Sequence, residues 1–247
     1  MPNRPHDGHA SVVFDCDSTL VSVEGIVQLA RGGHADRIAA LTEAAMQGEV
    51  ALEDVYGRRL EIIRPTRAQV NDVGRQYVDA LLPDAREVVA ALLWLGKTVR
   101  ILSGGLRPPV EHVARELGLR VDDVTAVGID FDADGAYRGF ESASPLTRNA
   151  GKPGVIQAWN LPRPSMLVGD GHTDLEAKPV VDTFVAYMGV VWRPAVAEGG
   201  DVLLRDPSLS PILALAASAD DRERLRTSEW ADVLSRGEEL LEAASAR

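Results

Sequence analysis

Short apolar runs along the chain predict β-strands that are buried on both faces. They are too short to be core helices and are bounded by polar or glycine-rich stretches. We place them at residues 11–15, 98–102, 166–168, 184–187 and 202–204. Segments with helical periodicity separate these runs, and such alternation is typical of a parallel sheet covered by helices. The pattern therefore predicts an α/β fold with a doubly wound, mainly parallel sheet.

The segment between the first two predicted strands has a helical pattern throughout. Helical runs lie at 36–47 and 52–63, and Gly32-Gly33 interrupts the pattern before them. Thr66 and Gln69 form a capping-box signature that starts another helix. Because strand-like alternation is absent from this stretch, we expect it to be entirely helical.

Further helical runs are predicted at residues 84–95, 108–117 and 153–159. Asp84 is expected to cap the first of them, because Asp side chains accept hydrogen bonds from free amides at helix starts. Residues 124–131 and 136–140 flank Asp134-Gly135 and predict a β-hairpin around an Asp-Gly turn. The Ala-, Glu- and Arg-rich end, 219–247, predicts one solvated helix.

These elements divide the chain into three expected parts. A catalytic core is predicted at 11–21 and 83–215. A helical cap at 22–82 is inserted into it after the first strand, and 216–247 form a C-terminal helical tail.

Composition and charge narrow the class of partner. The 247 residues are 45% hydrophobic, which supports a packed interior, and their formal net charge is -11. Nucleic acids and anionic membranes favour a basic surface, so we expect neither as a partner. An anionic substrate would have to be held by local positive groups, because the overall field of the protein repels it.

Signals for location and assembly are few. The single cysteine, Cys16, excludes an intramolecular disulfide. The polar start of the chain does not resemble a signal peptide, and no apolar run has the length needed to cross a bilayer. The cytoplasm is therefore the expected location, and a homodimer is left open.

Acidic, small and basic residues follow the predicted strands at the points where the strands end. Asp15 and Asp17 follow the first strand, Ser103-Gly104-Gly105 the second and Asp170 the third. The carboxyl ends of parallel strands form the crevice where such folds bind ligands. Two carboxylates held this close repel each other and favour a cation between them, and hard oxygen ligands favour Mg²⁺. Lys152 and exposed glycine amides favour phosphate, so a small phosphomonoester is the expected substrate.

Four motifs, in this order, resemble those of a known family. They are Phe14-Asp15-Cys16-Asp17-Ser18-Thr19, Ser103-Gly104-Gly105, Lys152, and Val168-Gly169-Asp170-Gly171-His172-Thr173-Asp174. Over residues 11–215 the chain resembles the phosphoserine phosphatases of the haloacid dehalogenase superfamily. The resemblance implies a Rossmann-like core and Mg²⁺-dependent hydrolysis of L-phosphoserine to L-serine and phosphate. An aspartyl phosphate would be the intermediate, and serine synthesis the pathway.

The resemblance also implies catalytic roles. Asp15 would be the nucleophile. Asp17 would be the acid that protonates the leaving alkoxide and then the base that activates water. Mg²⁺ would bind Asp15, the backbone carbonyl of Asp17, and Asp170. Asp174 would hold a metal-bound water or orient Lys152.

Substrate-binding residues are implied as well. Glu24 would hold the substrate ammonium and Arg59 its α-carboxylate, which a guanidinium can bind with two hydrogen bonds. The other implied contacts are Ser103, the Gly104 amide and Lys152 on the phosphoryl oxygens, Thr173 near the phosphate, and Arg193 late in the pocket. The structural alternatives are that Glu24 is an ordinary first-turn helix acid and that Arg59 is a surface side chain.

Two other functions fit the same residues. The nearer one is this chemistry on another small phosphometabolite, or transfer of the phosphoryl group to an acceptor alcohol. The other is a signalling receiver module that is phosphorylated on Asp without steady turnover. Receiver modules are shorter than this chain and have no second acid beside an acceptor in the first strand, which opposes that interpretation.

Overall fold

The computed structural model describes residues 8–30 and 34–245, so the predicted interruption at Gly32-Gly33 lies outside the described residues. The strands are β1 (Ser11–Phe14), β2 (Thr98–Leu106), β3 (Val124–Val127), β4 (Ile129–Phe131), β5 (Tyr137–Phe140), β6 (Ser165–Gly169), β7 (Thr183–Tyr187) and β8 (Val202–Leu204). The helices are α1 (Gly25–Leu29), α2 (Ala35–Met46), α3 (Leu52–Ile63), α4 (Arg67–Asp79), α5 (Ala85–Trp94), α6 (Arg107–Glu116), α7 (Gly151–Trp159), α8 (His172–Leu175), α9 (Pro194–Gly199), α10 (Ser210–Ala216), α11 (Ala219–Arg226) and α12 (Ala231–Ser245). Short 3₁₀ turns lie at Val121–Asp123, Pro145–Thr147 and Lys178–Val180.

The main sheet has six parallel strands in the order β3-β2-β1-β6-β7-β8. Strand β1 lies at its centre, where Val12 pairs with Val99 on one side and Met166 on the other. All four residues of β1 are buried, as its unbroken apolar pattern predicts. The predicted α/β fold with a doubly wound parallel sheet is confirmed. The strand order reverses between β1 and β6, and ligands bind at such a reversal in open α/β sheets.

Strand β2 is longer than predicted because it contains a bulge. Ile101 and Leu102 pair with Val124 and Thr125, but the next pair is Leu106 with Val127, so two extra residues lie on the β2 side. The extra length falls at 103–105, the Ser-Gly-Gly motif. A bulge takes backbone amides out of the ladder and leaves them free for other partners.

Helices α1–α4 follow β1, and the helical pattern predicted for this part of the chain is confirmed. Helix α4 starts with the expected capping box, in which the Gln69 amide donates to Thr66 Oγ1 and the Thr66 amide donates to Gln69 Oε1. Helix α4 packs against α6, and α2 packs against α8. The segment is therefore docked over the sheet edge. The division into a core at 11–21 and 83–215, a cap at 22–82 and a tail at 216–247 stays a prediction.

Asp84 does not cap helix α5 with its side chain, contrary to the prediction. Its carboxylate instead accepts hydrogen bonds from the Ser208 hydroxyl and from the amides of Leu209 (2.9 Å) and Ser210 (3.0 Å). These amides belong to the start of α10, which lies more than a hundred residues further along the chain. Tertiary packing thus places the Asp84 carboxylate at the start of α10, which is distant in the sequence, and its side chain does not cap α5.

Two further predictions need correction. Residues 124–131 are not one hairpin strand: β3 joins the main sheet, and only β4 pairs with β5 in an antiparallel two-stranded sheet. The C-terminal end holds two helices, because a second capping box, formed by Ser218 and Asp221, starts α11 separately from α12. Helix α12 is not simply solvated, since it packs against α10 and buries Val233 and Leu234. Among the described residues, no helix is both long and apolar enough to cross a membrane.

Candidate active site

The chain turns sharply after β1. The amides of residues 19–21 all donate to the Cys16 carbonyl, at 2.9–3.2 Å, and Ser18 adopts a left-handed φ of 54°. This turn directs Asp15 and Asp17 into one cavity. Cys16 between them is fully buried and is part of the hydrophobic core.

Lys152 connects two carboxylates at the edge of the sheet. Its Nζ lies 3.1 Å from Asp15 Oδ2 and 2.7 Å from Asp174 Oδ1, and its side chain is 4% exposed. Burial would lower the pKa of Lys152, but the charges of Asp15 and Asp174 outweigh it and raise the pKa above its ordinary value. Burial raises the pKa of Asp174 to about 8. The charge of Asp15 also raises this pKa, whereas the charge of Lys152 lowers it. The Gly171 amide fixes the other oxygen of Asp174, at 3.1 Å.

Three acids form a group that could hold a metal ion. Oxygens of Asp15, Asp170 and Asp174 all lie within 4.8 Å of one another, and all three residues are buried. Thr19 donates to Asp170 Oδ1 at 3.0 Å, while the Arg193 guanidinium contacts Asp170 Oδ2. Burial raises the pKa of Asp170 to about 7, against the opposing charge of Arg193. An all-carboxylate donor set fits a hard divalent cation.

The Asp17 side chain lies outside this acidic group. Its Oδ1 accepts hydrogen bonds from the Gly25 amide, at 2.7 Å, and from the Tyr77 hydroxyl. Its Oδ2 lies 3.4 Å from Ser103 Oγ. Burial raises the pKa of Asp17, although the two hydrogen bonds to Oδ1 oppose the shift. The protonated form is therefore favoured more than in an exposed Asp.

The Ser103-Gly104 bulge of β2 forms another wall of the cavity. Ser103 Oγ accepts from the Gly105 amide at 3.0 Å, and the Gly104 carbonyl accepts from the Tyr56 hydroxyl at 2.8 Å. Tyr56 comes from α3, so this hydrogen bond joins the helical segment to the sheet edge. The Tyr56 ring also packs against Phe140, with ring centroids 5.3 Å apart.

Arg59 lies inside the protein, so the alternative that it is a surface side chain is wrong. It is 4% exposed, its Nη1 donates to Thr42 Oγ1 at 2.9 Å, and its guanidinium stacks over the Tyr56 ring. Its Nε has no hydrogen-bond partner among the described residues, and none of the carboxylates described forms an ion pair with it. Burial lowers the pKa of Arg59. A buried cation of this kind costs free energy until an anion pairs with it.

Arg193 gathers three acids around one guanidinium. It contacts Asp170, and its Nη2 lies 3.2 Å from Glu43 Oε2 and 3.7 Å from Glu24 Oε1. Glu24 also accepts from the Ser18 hydroxyl, at 2.7 Å. Burial and the nearby charges of Asp17 and Asp170 raise the pKa of Glu24 well above its usual range. Arg193 thus bridges the sheet edge and helix α2.

The cavity between the sheet edge and α1–α4 has a volume of about 70 Å³. A single water molecule needs about 10–15 Å³ when the volume is counted in the same way, so the cavity has room for a small ligand. Of the predicted site residues, the cavity wall contains Asp15, Asp17, Glu24, Arg59, Ser103, Gly104, Lys152, Asp170 and Thr173. Asp174 and Arg193 lie behind this wall, in contact with Lys152 and Asp170. The structure therefore brings together residues from four separate motifs and from the helical segment.

A comparison with family models decides the assignment. The model of the haloacid dehalogenase-like hydrolases matches residues 12–177, which carry all four motifs. The chain belongs to this family. As a member of it, the protein is a hydrolase.

This hydrolase is also similar to individual proteins. Phosphoserine phosphatase of Bos taurus is 35% identical over 200 residues, covering 79% of this chain and 89% of the bovine one. Chloroplastic phosphoserine phosphatase of Arabidopsis thaliana is 34% identical over 200 residues, covering 78% of this chain and 68% of the plant one. The solved structure of a phospho-aspartyl intermediate analogue of phosphoserine phosphatase superposes with a TM-score of 0.70 at 23% identity, covering 83% of this chain and 98% of that one. At that identity the structural likeness shows the fold alone.

Several cavity residues of the hydrolase were not predicted from its sequence. They include Thr42, Met46, Tyr56, Tyr77 and Arg148. Tyr77 and Tyr56 read as ordinary apolar positions of amphipathic helices, and both are indeed buried. What pattern analysis does not show is that the hydroxyl of each reaches a group on the sheet edge. Only the docking of the helices reveals those contacts.

Proposed function

We propose that this hydrolase cleaves L-phosphoserine to L-serine and inorganic phosphate, with Mg²⁺ as its cofactor and a transient aspartyl phosphate on Asp15. One observation carries the proposal. The same small cavity contains a carboxylate–lysine cluster suited to phosphoryl transfer and a buried guanidinium, that of Arg59, which has no carboxylate partner among the described residues. A substrate with both a phosphate and a carboxylate supplies what each part of the cavity needs.

The first step is attack by Asp15 on phosphorus. Asp15 Oδ1 is held by the Cys16 amide, and Oδ2 faces Lys152. As Oδ2 bonds to phosphorus, the bond from phosphorus to the serine oxygen breaks and its electron pair moves to that oxygen. Asp17 supplies the proton that this poor leaving group requires.

The second step returns the enzyme to its starting state. Asp17, now a carboxylate, removes a proton from water as the water oxygen attacks the phosphorus of the aspartyl phosphate. The bond between phosphorus and Asp15 breaks, and phosphate leaves. Ser103 and the Gly104 amide hold the equatorial oxygens during both steps, where the transition-state charge is spread.

The metal would be held by Asp15 and Asp170 of the acidic group, with the Asp17 carbonyl as a further proposed ligand and Asp174 beside them. When bound there, Mg²⁺ reduces the repulsion between the carboxylates and the phosphoryl oxygens. Both oxygens of Asp174 already accept hydrogen bonds, from Lys152 and Gly171, which supports its role in orienting Lys152.

The amino-acid end of the substrate would lie among the helices. Arg59 would bind the α-carboxylate with its free Nε and one Nη. Glu24, whose contact with Arg193 is long at 3.7 Å and which also accepts from the Ser18 hydroxyl, would bind the ammonium group. Thr173 would complete the phosphate end, whereas Arg193, which lies behind the cavity wall, would act through Asp170. We also propose that residues 22–82 act as a cap over the sheet edge, and that the reaction belongs to serine synthesis in the cytoplasm.

Phosphate release across a panel of phosphometabolites tests the proposal. We expect kcat/KM to be highest for L-phosphoserine, and EDTA to abolish the activity until Mg²⁺ is restored. A higher kcat/KM for a phosphate ester that lacks an amino-acid group would overturn the substrate assignment. Phosphate appearing on an added alcohol in place of water would indicate a phosphotransferase.

A further inference from the structure

Tyr77 is the one residue of helix α4 whose side chain is described as bonding to an acid of the sheet edge. It is 1% exposed, and its hydroxyl donates to Asp17 Oδ1. The sequence predicted no role for it. Its contact matters because the proposed function makes Asp17 the residue that moves a proton in both steps.

The hydrogen bonds of Asp17 make its two oxygens unequal. Oδ1 accepts from two donors, the Tyr77 hydroxyl and the Gly25 amide. Oδ2 has only the distant Ser103 Oγ, at 3.4 Å, on the side of the proposed phosphoryl site. An oxygen that already accepts two hydrogen bonds is poorly placed to carry a proton. The proton of neutral Asp17 therefore belongs on Oδ2, facing the substrate.

The packing around this contact is tight on both sides. A Cβ added at Gly25 would lie 2.1 Å from the Tyr77 hydroxyl oxygen, so only glycine allows Tyr77 to reach Asp17 here. A Cβ at Gly105 would lie 2.7 Å from Asp17 Oδ2. The carboxyl group is thus held between a donor pair from the helical segment and the glycine backbone of β2.

We propose that Tyr77 is a positioning residue, which together with the Gly25 amide holds Asp17 so that its proton lies on Oδ2 and points at the leaving oxygen. This inference rests on the proposed function. In the first step the proton passes from Asp17 Oδ2 to the serine oxygen as that oxygen takes the electron pair of the broken bond to phosphorus. Asp17 is left as the carboxylate that the second step requires.

Both donors to Oδ1 come from the helical segment rather than from the sheet. Gly25 starts α1 and Tyr77 lies in the last turns of α4. Docking of this segment therefore does more than enclose the cavity. It orients the acid, so that Asp17 is ready to donate a proton only when the helices are in place.

The test compares two substrates that differ in their need for a proton. Serine leaves as a strongly basic alkoxide unless it is protonated, whereas p-nitrophenolate is a weak base and leaves without help. We expect Tyr77→Phe to lower kcat/KM for L-phosphoserine up to about tenfold, the upper end of the effect of one hydrogen bond. For p-nitrophenyl phosphate, kcat/KM should change less than about twofold. The ratio kcat/KM reports only the steps up to departure of the leaving group, and p-nitrophenolate leaves without a proton.

Two further variants keep the test decisive. Tyr187→Phe removes another buried hydroxyl, one with no hydrogen-bond partner among the described residues, and should leave both substrates unaffected. Gly25→Ala displaces the Tyr77 hydroxyl without altering its ring and should reproduce the difference between the substrates. Turnover of p-nitrophenyl phosphate itself reports whether each variant is folded.

Equal losses on both substrates in Tyr77→Phe, or no loss on phosphoserine, would overturn the role of Tyr77. Such results leave the proposed function standing, because they compare the variant with an active parent protein. A parent protein that releases no phosphate from phosphoserine would instead overturn the proposed function.

Discussion

At the carboxyl edge of the sheet, charged groups of the cavity form ion pairs with one another, whereas in the helical segment Arg59 is buried without an ion-pair partner among the described residues. Lys152 lies 3.1 Å from Asp15 and 2.7 Å from Asp174. The Arg59 guanidinium donates to the Thr42 hydroxyl and stacks on the Tyr56 ring, and no ion pair with a carboxylate is described for it. The two regions face the same small cavity.

The difference indicates that the sheet edge carries out the reaction, whereas Arg59 of the helical segment recognises the substrate. The paired cluster of the sheet edge is held together by its own ion pairs and hydrogen bonds, so the protein itself fixes the geometry of the cluster. The unpaired guanidinium makes the free protein less stable than it could be and gains most when a carboxylate binds. Binding free energy is thereby taken from a part of the substrate that does not react.

The largest effect is expected from replacing the proposed nucleophile. Asp15→Asn removes the attacking oxygen but keeps the size of the side chain, so turnover of phosphoserine should fall on the order of 10⁴-fold or more. Binding of phosphoserine, measured by calorimetry with Mg²⁺, should survive because Arg59 is untouched. Turnover comparable to that of the parent protein would remove the basis for assigning the chemistry to the sheet edge.

Breaking the paired cluster should destabilise the protein. Lys152→Ala leaves Asp15 and Asp174 as neighbouring buried carboxylates, and removing one partner of a buried pair costs about 3–5 kcal/mol. Thermal unfolding should show a fall in Tm on the order of 10 °C. The control is Arg75→Ala, which removes an exposed pair with Asp72 and should cost at most about 1 kcal/mol. Similar small losses in both variants would mean that the cluster is not a paired unit.

Replacing Arg59 should not destabilise the protein, in contrast to replacing Lys152. Arg59→Met removes a buried unpaired charge, so the Tm of the ligand-free protein should stay the same or rise. In contrast, kcat/KM for phosphoserine should fall about 10²-fold, while that for p-nitrophenyl phosphate, which has no carboxylate, should change little. The matched control is Arg58→Met on the neighbouring exposed residue, where neither quantity should move. A loss of stability in Arg59→Met would contradict the contrast between the two regions.

The smallest effect is expected far from the cavity and gives a baseline for a purely structural acid. Asp84→Ala removes the acceptor for the first amides of α10, which should lower the free energy of unfolding by about 1–2 kcal/mol. Since Asp84 touches nothing in the cavity, kcat/KM for both substrates should be unchanged. Chemical denaturation compared with Asp72→Ala, an exposed acid, measures the difference. A change in kcat/KM would show that α10 is coupled to the site.

Predictions made from local pattern were the most successful. The short apolar runs predicted the strands of the parallel sheet, and the order of strand ends placed Asp15, Ser103 and Asp170 at one edge. The capping box of Thr66 was found because its donor and acceptor lie three residues apart. Each of these features depends on residues close in sequence or on a rule that holds for parallel sheets in general.

The predictions that failed involve competition between near and distant partners. Asp84 has a local helix start beside it, yet its carboxylate bonds to the start of α10. Residues 124–131 can extend as one strand, but the edge of the main sheet takes the first half as β3. In both cases the partner that is bound in the structure is remote in the sequence, so no local pattern predicts the contact.

The sequence by itself determined the class of fold, the helical nature of the segment after β1, and a set of acids, glycines and one lysine at strand ends. It did so because hydrophobic periodicity and strand-end geometry are local properties of the chain. Only the tertiary structure decided that Arg59 is buried without an ion-pair partner among the described residues and that Tyr77 reaches Asp17. These facts depend on how the helices dock over the sheet, where residues 60 positions apart share a hydrogen bond. Docking is set by the packing of whole surfaces, which no single stretch of the sequence encodes.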